Sequence, residues 1–410
     1  MNILVLNAGS SSQKCRLYDL SGSSSRLPQE APTPLWEADA SWAKDKGEAT
    51  LDIRTANGKQ VQQTVPADSR PALVEQLLKT LWSGETQVIE GPHAIDMVGH
   101  RVVHGGPDYR ESVPITQRVK DDIHKYASFA PLHNPVNLEG IEGVERVLGS
   151  SVPQVAVFDT AFHKTLLHEA VVYPGPYDWY EQGIRRYGFH GISHQYCTER
   201  IGQLLGHTPR RLINCHLGNG CSLAAIRDGQ SIDTTMGFTP LEGLMMGSRS
   251  GTIDPSILIY LQRKKGYTAD QFDQLLNKQS GLQGISGVSS DMREVRKASE
   301  GGNERAKLAL DIYIYRLRFF IGAMLATLGG LDVLSFTGGV GEHASEIRAG
   351  ACEAFAFLGL KLDTEKNSSS PVDTVLSTPE SAVRVLLVHT EEDWEIAKEC
   401  WKLHNKENNS

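Results

Sequence analysis

Directly behind the apolar run Ile3 to Leu6 stands LNAGSSSQK, Leu6 to Lys14. Glycine lets a backbone approach a ligand closely, serine hydroxyls donate and accept hydrogen bonds, and Lys14 carries the point charge that a β- or γ-phosphate needs. Asn7 is placed to reach a hydrated magnesium. The same residues equally make a serine-rich hairpin turn with a solvated lysine. Their spacing is not G-x-x-x-x-G-K-[ST], so the chain is not a P-loop protein. A second glycine element, FTGGVGEH (Phe336 to His343), follows the apolar VLSF and leads toward a helix. Strand, glycines and helix N-terminus form a nucleotide-contact geometry, and also a plain strand-to-helix loop. Its GGVGE core leaves the third slot of G-x-G-x-x-G without glycine, which excludes the dinucleotide reading.

Four further stretches carry charge: GHRVVHGG (Gly99 to Gly106), VFDTAFHKT (Val157 to Thr165), RRYGFHGISH (Arg185 to His194) and MGFTPLEGLMMGSRSGTIDP (Met236 to Pro255). Arg101, between a strand and His-Gly-Gly, is either a fork for carboxylate or phosphate or one half of a surface ion pair. Asp159 ends an apolar strand, where α/β folds place reactive groups, and could instead cap a helix over Thr160 to Leu167. His190 is either a donor to a transferring phosphoryl oxygen or a satisfied structural donor. Arg249, set among glycine and serine, has little local reason except to reach a ligand.

These groups need a scaffold. Apolar runs bounded by Gly, Asn and Ser alternate with longer 3.6-period segments, the pattern of mixed α/β domains. Strands are expected at Ile3 to Leu6, Val155 to Phe158, Leu212 to Cys215, Val333 to Phe336 and Val383 to Val388. Helices are expected at Arg70 to Leu81, Asp270 to Lys278, Asn303 to Leu328 and Glu392 to Lys402. Ser21 to Gln63, rich in Ser, Pro, Ala and Gln, reads as a variable surface excursion, and Asp363 to Asp373 as a polar surface bridge. ILVLNAGSSSQKCRLYDL and LINCHLGNGCSLAAIRDG share one layout of strand, small-residue turn and strand. The second lobe is therefore expected to repeat the first, with two tight turns cradling a polyphosphate.

A length of 410 residues at 40% hydrophobic content supports two domains with real cores. A net charge of -8 gives no field for nucleic acid or an anionic membrane, so neither is an expected partner and an anionic ligand must be held locally. Six cysteines without C-x-x-C spacing read as reduced thiols, and no segment is suited to span a bilayer or direct secretion, which points to a cytoplasmic protein.

LNAGSSSQK, GHRVVHGG, FDTAFH, RRYGFHGISH, HLGNG, MMGSRSGTIDP and FTGGVGE, in that order along nearly the whole chain, resemble the acetate kinases, short-chain carboxylate kinases of the actin and sugar-kinase superfold. The departures are a longer serine-rich excursion and TEEDWEIA near the C-terminus, where the family often reads T-N-E-E. That leaves Glu391 and Glu392 both open as metal ligand, with Glu392 chosen by register.

The resemblance implies an α/β fold of two duplicated actin-like (ribonuclease H-like) lobes, residues 1–158 with 390–410 and residues 159–389, around a central ATP and substrate cleft. It implies that Asn7 and Glu392 support Mg²⁺, for which Mn²⁺ can substitute. Ser10, Ser12 and Lys14 would lie near the phosphates. His216, Leu217, Gly218, Asn219, Gly220, Asp291, Met292, Arg293, Gly338, Gly339, Val340, Gly341 and Glu342 would hold ATP or ADP. Arg101 and Arg249 would bind acetate and the migrating phosphoryl, Asp159 would be the catalytic acid residue, and His190 would steady the transition state. Val103, Leu132, Phe189 and Pro240 would form a pocket for the acetate methyl. A homodimer is the family's usual state, and the long helix at Asn303 to Leu328 is expected in the core or at the subunit contact.

Physical chemistry qualifies one of these roles. The acceptor carboxylate has a pKa of roughly 4 to 5, so at neutral pH it is already the nucleophile and needs no general base. Asp159 is better suited to orienting an arginine or water-bound Mg²⁺, with direct in-line transfer giving acetyl phosphate and ADP. Propionate or butyrate as acceptor, a sugar kinase of the same superfold and an actin-like ATP switch are the alternatives. An extra methylene is worth only about 1 to 3 kcal/mol, and a switch needs no carboxylate fork.

Overall fold

In a computed structural model of the chain, which describes residues 1–9, 12–23, 26–43, 47–67 and 69–408, the run behind Met1 becomes a central strand. This strand, β1 (Asn2–Ala8), turns back antiparallel into β2 (Ser12–Asp19), with Asn7 opposite Lys14. The meander continues through β3 (Trp36–Ala43), β4 (Glu48–Thr55) and β5 (Gln60–Pro66). On the other side of β1, β6 (Met97–Val102) and then β8 (Gln154–Phe158) add in parallel, and β7 (Val113–Pro114) closes the edge. The order is β5-β4-β3-β2-β1-β6-β8-β7. The parallel strands are covered on both faces, so β1 and β8 are almost unbroken apolar runs, while β6 carries the buried His100 and the half-buried Arg101.

One face of this sheet carries the larger core, where Leu4, Leu6, Leu17, Trp36, Leu51 and Ile53 meet Leu73 and Leu77 of the helix Arg70–Lys79. The helix Glu392–Asn408 packs on β1 and β6. Gly99 makes that contact possible, because a Cβ there would lie 2.6 Å from both Cys400 Sγ and Ile396 Cγ2. These elements form one unit, Met1–Ala161 with Glu391–Ser410, and Phe162–Thr390 forms a second.

Ser21 to Gln63, expected as a surface excursion, instead supplies β3, β4 and part of β5. Trp36 is fully buried, and Ala49, Leu51, Ile53 and Thr55 alternate inward along β4. The inward positions of β3 beyond Trp36 are the small Ala38 and Ala40, which give little apolar signal against their polar neighbours.

The second unit has a six-stranded sheet: β9 (Arg211–Leu217), β10 (Cys221–Arg227), β11 (Gln230–Thr234), β12 (Val333–Thr337), β13 (Thr374–Val375) and β14 (Arg384–Leu387). Its order is β11-β10-β9-β12-β14-β13, with β12 parallel to both β9 and β14. In both units an antiparallel hairpin pairs, through its first strand, with the next parallel strand, so the two echoing sequences, β1–β2 and β9–β10, occupy the same place. This is the duplicated lobe the sequence led us to expect.

The helix Glu304–Leu328 is capped by Asn303, whose Oδ1 accepts from Ala306 N at 3.0 Å. Ala306, Ala309, Tyr313, Leu317, Ile321, Met324 and Leu328 form its buried stripe, at helical spacing, while Leu308, Tyr315 and Phe319 are exposed. The polar stretch Asp363 to Asp373 is more than a surface bridge. It contains the helix Thr364–Ser369, capped by Asp363, and the buried Asn367 takes a hydrogen bond from the buried Arg348 at 2.8 Å.

Candidate active site

In the first unit β1, β6 and β8 run parallel, so residues at their C-terminal ends collect on one side. Arg101 of β6 donates from Nε to Asp159 Oδ1 at 3.0 Å and from Nη2 to Oδ2 at 2.6 Å. This is the two-pronged arrangement that a planar guanidinium favours. Its Nη1 donates to Asn7 Oδ1 at 3.2 Å and lies 3.9 Å from Glu392 Oε2. Asn7 in turn donates from Nδ2 to Asp393 Oδ1 at 2.9 Å and to Glu392 Oε2 at 3.3 Å. Burial alone would weaken the hold of Arg101 on its proton, but Asp159, Glu392 and Asp393 outweigh it and raise its pKa. The Asp159 side chain is 2% exposed against 17% for Arg101, so the aspartate is the buried anchor and the arginine the accessible end.

The second unit gathers a separate set of donors around the turn between β9 and β10. His190 directly precedes the helix Gly191–Leu205 and takes a left-handed φ of 55°, a conformation uncommon for a non-glycine residue that Asp228, Ser370 and Asp373 also adopt. Its Nδ1 lies 2.9 Å from Ser222 Oγ of β10, and its ring stacks on His216 of β9 with centroids 4.2 Å apart. His216 Nδ1 is 2.8 Å from Ser193 Oγ. Arg249 donates from Nη1 to the Pro240 carbonyl at 3.0 Å. A Cβ added to Gly220 would lie 3.4 Å from both Arg249 Nη1 and His190 Nε2. Both donors therefore face the same bare backbone.

The other end of that turn borders a cavity of about 450 Å³, lined among others by Gly218, Asn219, Asp291, Met292, Arg293, Gly339 and Val340. Asp291 caps the helix Met292–Glu300 and clamps Arg293, whose Nη2 donates to Asp291 Oδ2 at 2.6 Å. The helix Gly338–His343 starts where the backbone passes against β9. Gly338 has a φ of 77°, and a Cβ there would sit 2.9 Å from the Leu217 carbonyl oxygen, so only glycine fits.

Several expected residues take other places. Glu342 does not line the cavity: its Oε1 accepts from Gly338 N at 3.1 Å and its Oε2 lies 2.7 Å from His389 Nδ1. Leu217, Gly338 and Gly341 are buried and are not among the residues lining the cavity. Lys14 is an exposed residue of β2, and Ser12 closes the turn by accepting from Gly9 N at 2.9 Å. Ser10 lies outside the described residues. Val103 is buried in the first unit, with its N–H bonded to Asn137 Oδ1 at 3.1 Å, and Leu132 is half-buried. In the second unit Phe189 is buried and its carbonyl lies 3.0 Å from His163 Nε2, while Pro240 is half-buried.

Sequence reasoning missed Asp393, which makes the shorter contact to Asn7, and Arg296 and His343, which line the cavity. It also missed Ser222 and His194. His194 stands four residues after His190 inside the quoted motif, a helical spacing that could have flagged it.

A family model described as the acetokinase family matches residues 2–398. The chain belongs to the acetokinase family. A curated acetate kinase from Cyanothece sp. is 59% identical over 405 residues, covering 98% of each chain. The crystal structure of acetate kinase from Porphyromonas gingivalis superposes with a TM-score of 0.88 at 40% identity, over 98% of this chain and 99% of that one. A propionate kinase from Francisella tularensis superposes at 0.87 with 37% identity, over 97% and 98%. Similarity at this level over the full length carries the family's two-sheet architecture to this chain.

Proposed function

We propose that the chain transfers the γ-phosphoryl group of ATP to acetate by direct in-line displacement, giving acetyl phosphate and ADP. Membership of the acetokinase family makes it a phosphotransferase with a carboxyl group as acceptor. The observation that carries the residue-level reading is the turn Gly218 to Gly220, which borders the cavity at one end and faces Arg249 and His190 at the other. A nucleotide in that cavity would direct its phosphates along exposed backbone toward two fixed donors.

Two anions must meet in this reaction. The acetate is ionised at neutral pH and needs no base. What the protein supplies is positive charge and N–H donors around the equatorial oxygens of the phosphoryl, held in place beforehand. Arg101 and Arg249 bind acetate and the migrating group, and His190 donates to it. Asp159 orients Arg101 and does not move a proton. Val103, Leu132, Phe189 and Pro240 limit the acceptor to a short apolar chain.

Among the described residues no three His, Cys, Asp or Glu come together to hold a metal on their own. Yet the three carboxylates Asp159, Glu392 and Asp393 face Arg101 and, 3.7 Å from Asp393, Arg16, and the remaining negative charge suits a divalent cation. A magnesium ion drawing its other ligands from phosphates and water fits that donor set, with Glu392 and Asp393 facing it and Asn7 holding both acids in place. When bound it would neutralise charge on the phosphates. Manganese suits the same oxygen ligands.

The protein works as a cytoplasmic homodimer. Its six buried, unpaired cysteines suit a reducing compartment. Exposed Ile257, Ile259 and Tyr260 on the helix Ser256–Lys265, with Leu308, Tyr315 and Phe319, offer apolar surface for a second copy.

A hydroxamate assay for acetyl phosphate with ATP, Mg²⁺ and acetate tests the activity. Accumulation is the expected result, with kcat/KM highest for acetate among acetate, propionate and butyrate. ATP hydrolysis without acyl phosphate would refute it.

A further inference from the structure

His190 belongs to a chain of buried hydrogen bonds running through the second unit. At the inner end Ser335 Oγ of β12 lies 2.6 Å from Asn214 Oδ1 of β9. Asn214 Nδ2 lies 2.9 Å from His194 Nδ1, His194 Nε2 lies 2.8 Å from Ser222 Oγ, and Ser222 Oγ lies 2.9 Å from His190 Nδ1. Ser335, Asn214, His194 and Ser222 are all fully buried.

The direction of each bond follows from what each group can do. A spacing of 2.6 Å is that of a hydroxyl on an oxygen, which sets the amide oxygen of Asn214 toward Ser335 and its NH₂ toward His194. His194 Nδ1 must then accept, so a neutral His194 carries its proton on Nε2 and donates to Ser222. Burial, with His163 and His216 nearby, holds the His194 pKa well below its ordinary value, so the ring is neutral. The Ser222 hydroxyl, already accepting from His194, has one other partner for its own proton, namely His190 Nδ1. His190 therefore accepts at Nδ1 and bears its proton on Nε2, the atom that faces Gly220 beside Arg249.

We propose that His194, acting through Ser222, fixes His190 as the neutral Nε2–H tautomer, so that it presents a donor rather than a lone pair to the transferring phosphoryl. His194 and Ser222 are thus positioning residues. A second proton on His190 would need Nδ1–H to point at Ser222 Oγ, leaving the serine proton without an acceptor in a buried site. The chain therefore opposes protonation of His190 as well as setting its tautomer. The titratable and charged groups facing His190 include His216 stacked on it from β9, Arg249 from its loop and His194 on its own helix, with His163 against His194 in turn.

The phosphoryl part of this proposal rests on the function proposed above, whereas the tautomer can be read without activity. Full-length protein labelled with ¹⁵N in the histidine rings, compared with His190→Gln to assign the signal, reports which nitrogen carries the proton. The expected result is a neutral Nε2–H ring for His190 throughout roughly pH 5 to 8, the range in which a free imidazole titrates. In Ser222→Ala the His190 ring should no longer be held in the single Nε2–H form, giving mixed tautomers or a pH-dependent signal in that range, with kcat about tenfold lower while the KM for ATP holds. A His190 ring in the unaltered protein that is Nδ1–H, or that titrates near its ordinary value, would overturn the proposal even if Ser222→Ala did not fold. An intact tautomer with an active His190→Gln enzyme would leave the relay standing and refute the role in phosphoryl transfer.

Discussion

Asp159 holds Arg101 with both carboxylate oxygens, at 3.0 Å to Nε and 2.6 Å to Nη2, leaving Nη1 to Asn7 and Glu392. An aspartate engaged in this way cannot swing to take a proton without giving up its arginine. Asp159→Asn should therefore lower kcat on the order of a hundredfold. It should do so by the same factor from pH 6 to 8, because the lost function is orientation. A loss that grows with rising pH across that range, as removal of a general base would give, would indicate proton transfer and contradict this assignment. The substitution should also cost about 3 kcal/mol of stability, since it leaves a largely buried guanidinium short of its partner.

The open backbone at Gly220 makes a second test. Its φ is not in the left-handed region, so alanine is tolerated by the chain, and the added methyl would stand 3.4 Å from Arg249 Nη1 and His190 Nε2. Gly220→Ala should fold and bind ADP, which lacks the γ-phosphoryl, with little change in Kd, yet turn over roughly a hundredfold more slowly because the methyl occupies the space a phosphoryl oxygen would take. Steady-state kinetics beside nucleotide titration separates the two effects. Normal turnover would show that the phosphoryl does not pass there.

The legible parts of this fold were the strands buried on both faces. Ile3 to Leu6, Val155 to Phe158, Leu212 to Cys215 and Val333 to Phe336 are continuous apolar runs, and they became β1, β8, β9 and β12. The meander β3 to β5 was not legible, because beyond Trp36 the inward positions of β3 are the small Ala38 and Ala40 between polar residues, which masked the alternation of Ala49, Leu51 and Ile53 that follows in β4. For the candidate site, the motifs singled out Arg101, Asp159, His190 and Arg249. They could not show that Asn7 reaches Asp393 as well as Glu392, because that contact depends on how the last helix packs on β1. Nor could they show that Glu342 turns back to cap its own helix.

Because β3 is part of the sheet, Trp36 is a core residue of the first unit. Trp36→Ala should destabilise that unit by about 3 to 5 kcal/mol. Thermal unfolding would show a clearly lower Tm. A variant as stable as the parent would restore the reading of this segment as a surface excursion.

Three buried histidines, His100, His163 and His194, predict the acid response, the ring of His194 being held well below its ordinary value by burial. Burial pushes His100 and His163 down to about 4, against the weaker pull of Gln154 on the first and of the Phe189 carbonyl on the second. In the unfolded chain each binds its proton near pH 6.5. Between about 4 and 6.5 the unfolded state therefore holds more protons, so stability rises with pH through that window and is lost as pH falls. Tm should drop from pH 7 to pH 5, and His163→Gln should be less stable at pH 7 but show a shallower slope. A slope unchanged by the substitution would exclude His163 as a source.

The central claim is that fixed positive charge allows two anions to react, and Arg249 tests it most directly because its guanidinium donates to the Pro240 carbonyl and faces Gly220, where the proposed phosphoryl transfer takes place. Measured as acetyl phosphate formed from ATP, Mg²⁺ and acetate, kcat of Arg249→Ala should fall by an amount corresponding to about 3 kcal/mol, with Tm and the Kd for ATP close to those of the parent. Turnover near the parental rate in that folded, nucleotide-binding variant would contradict the account.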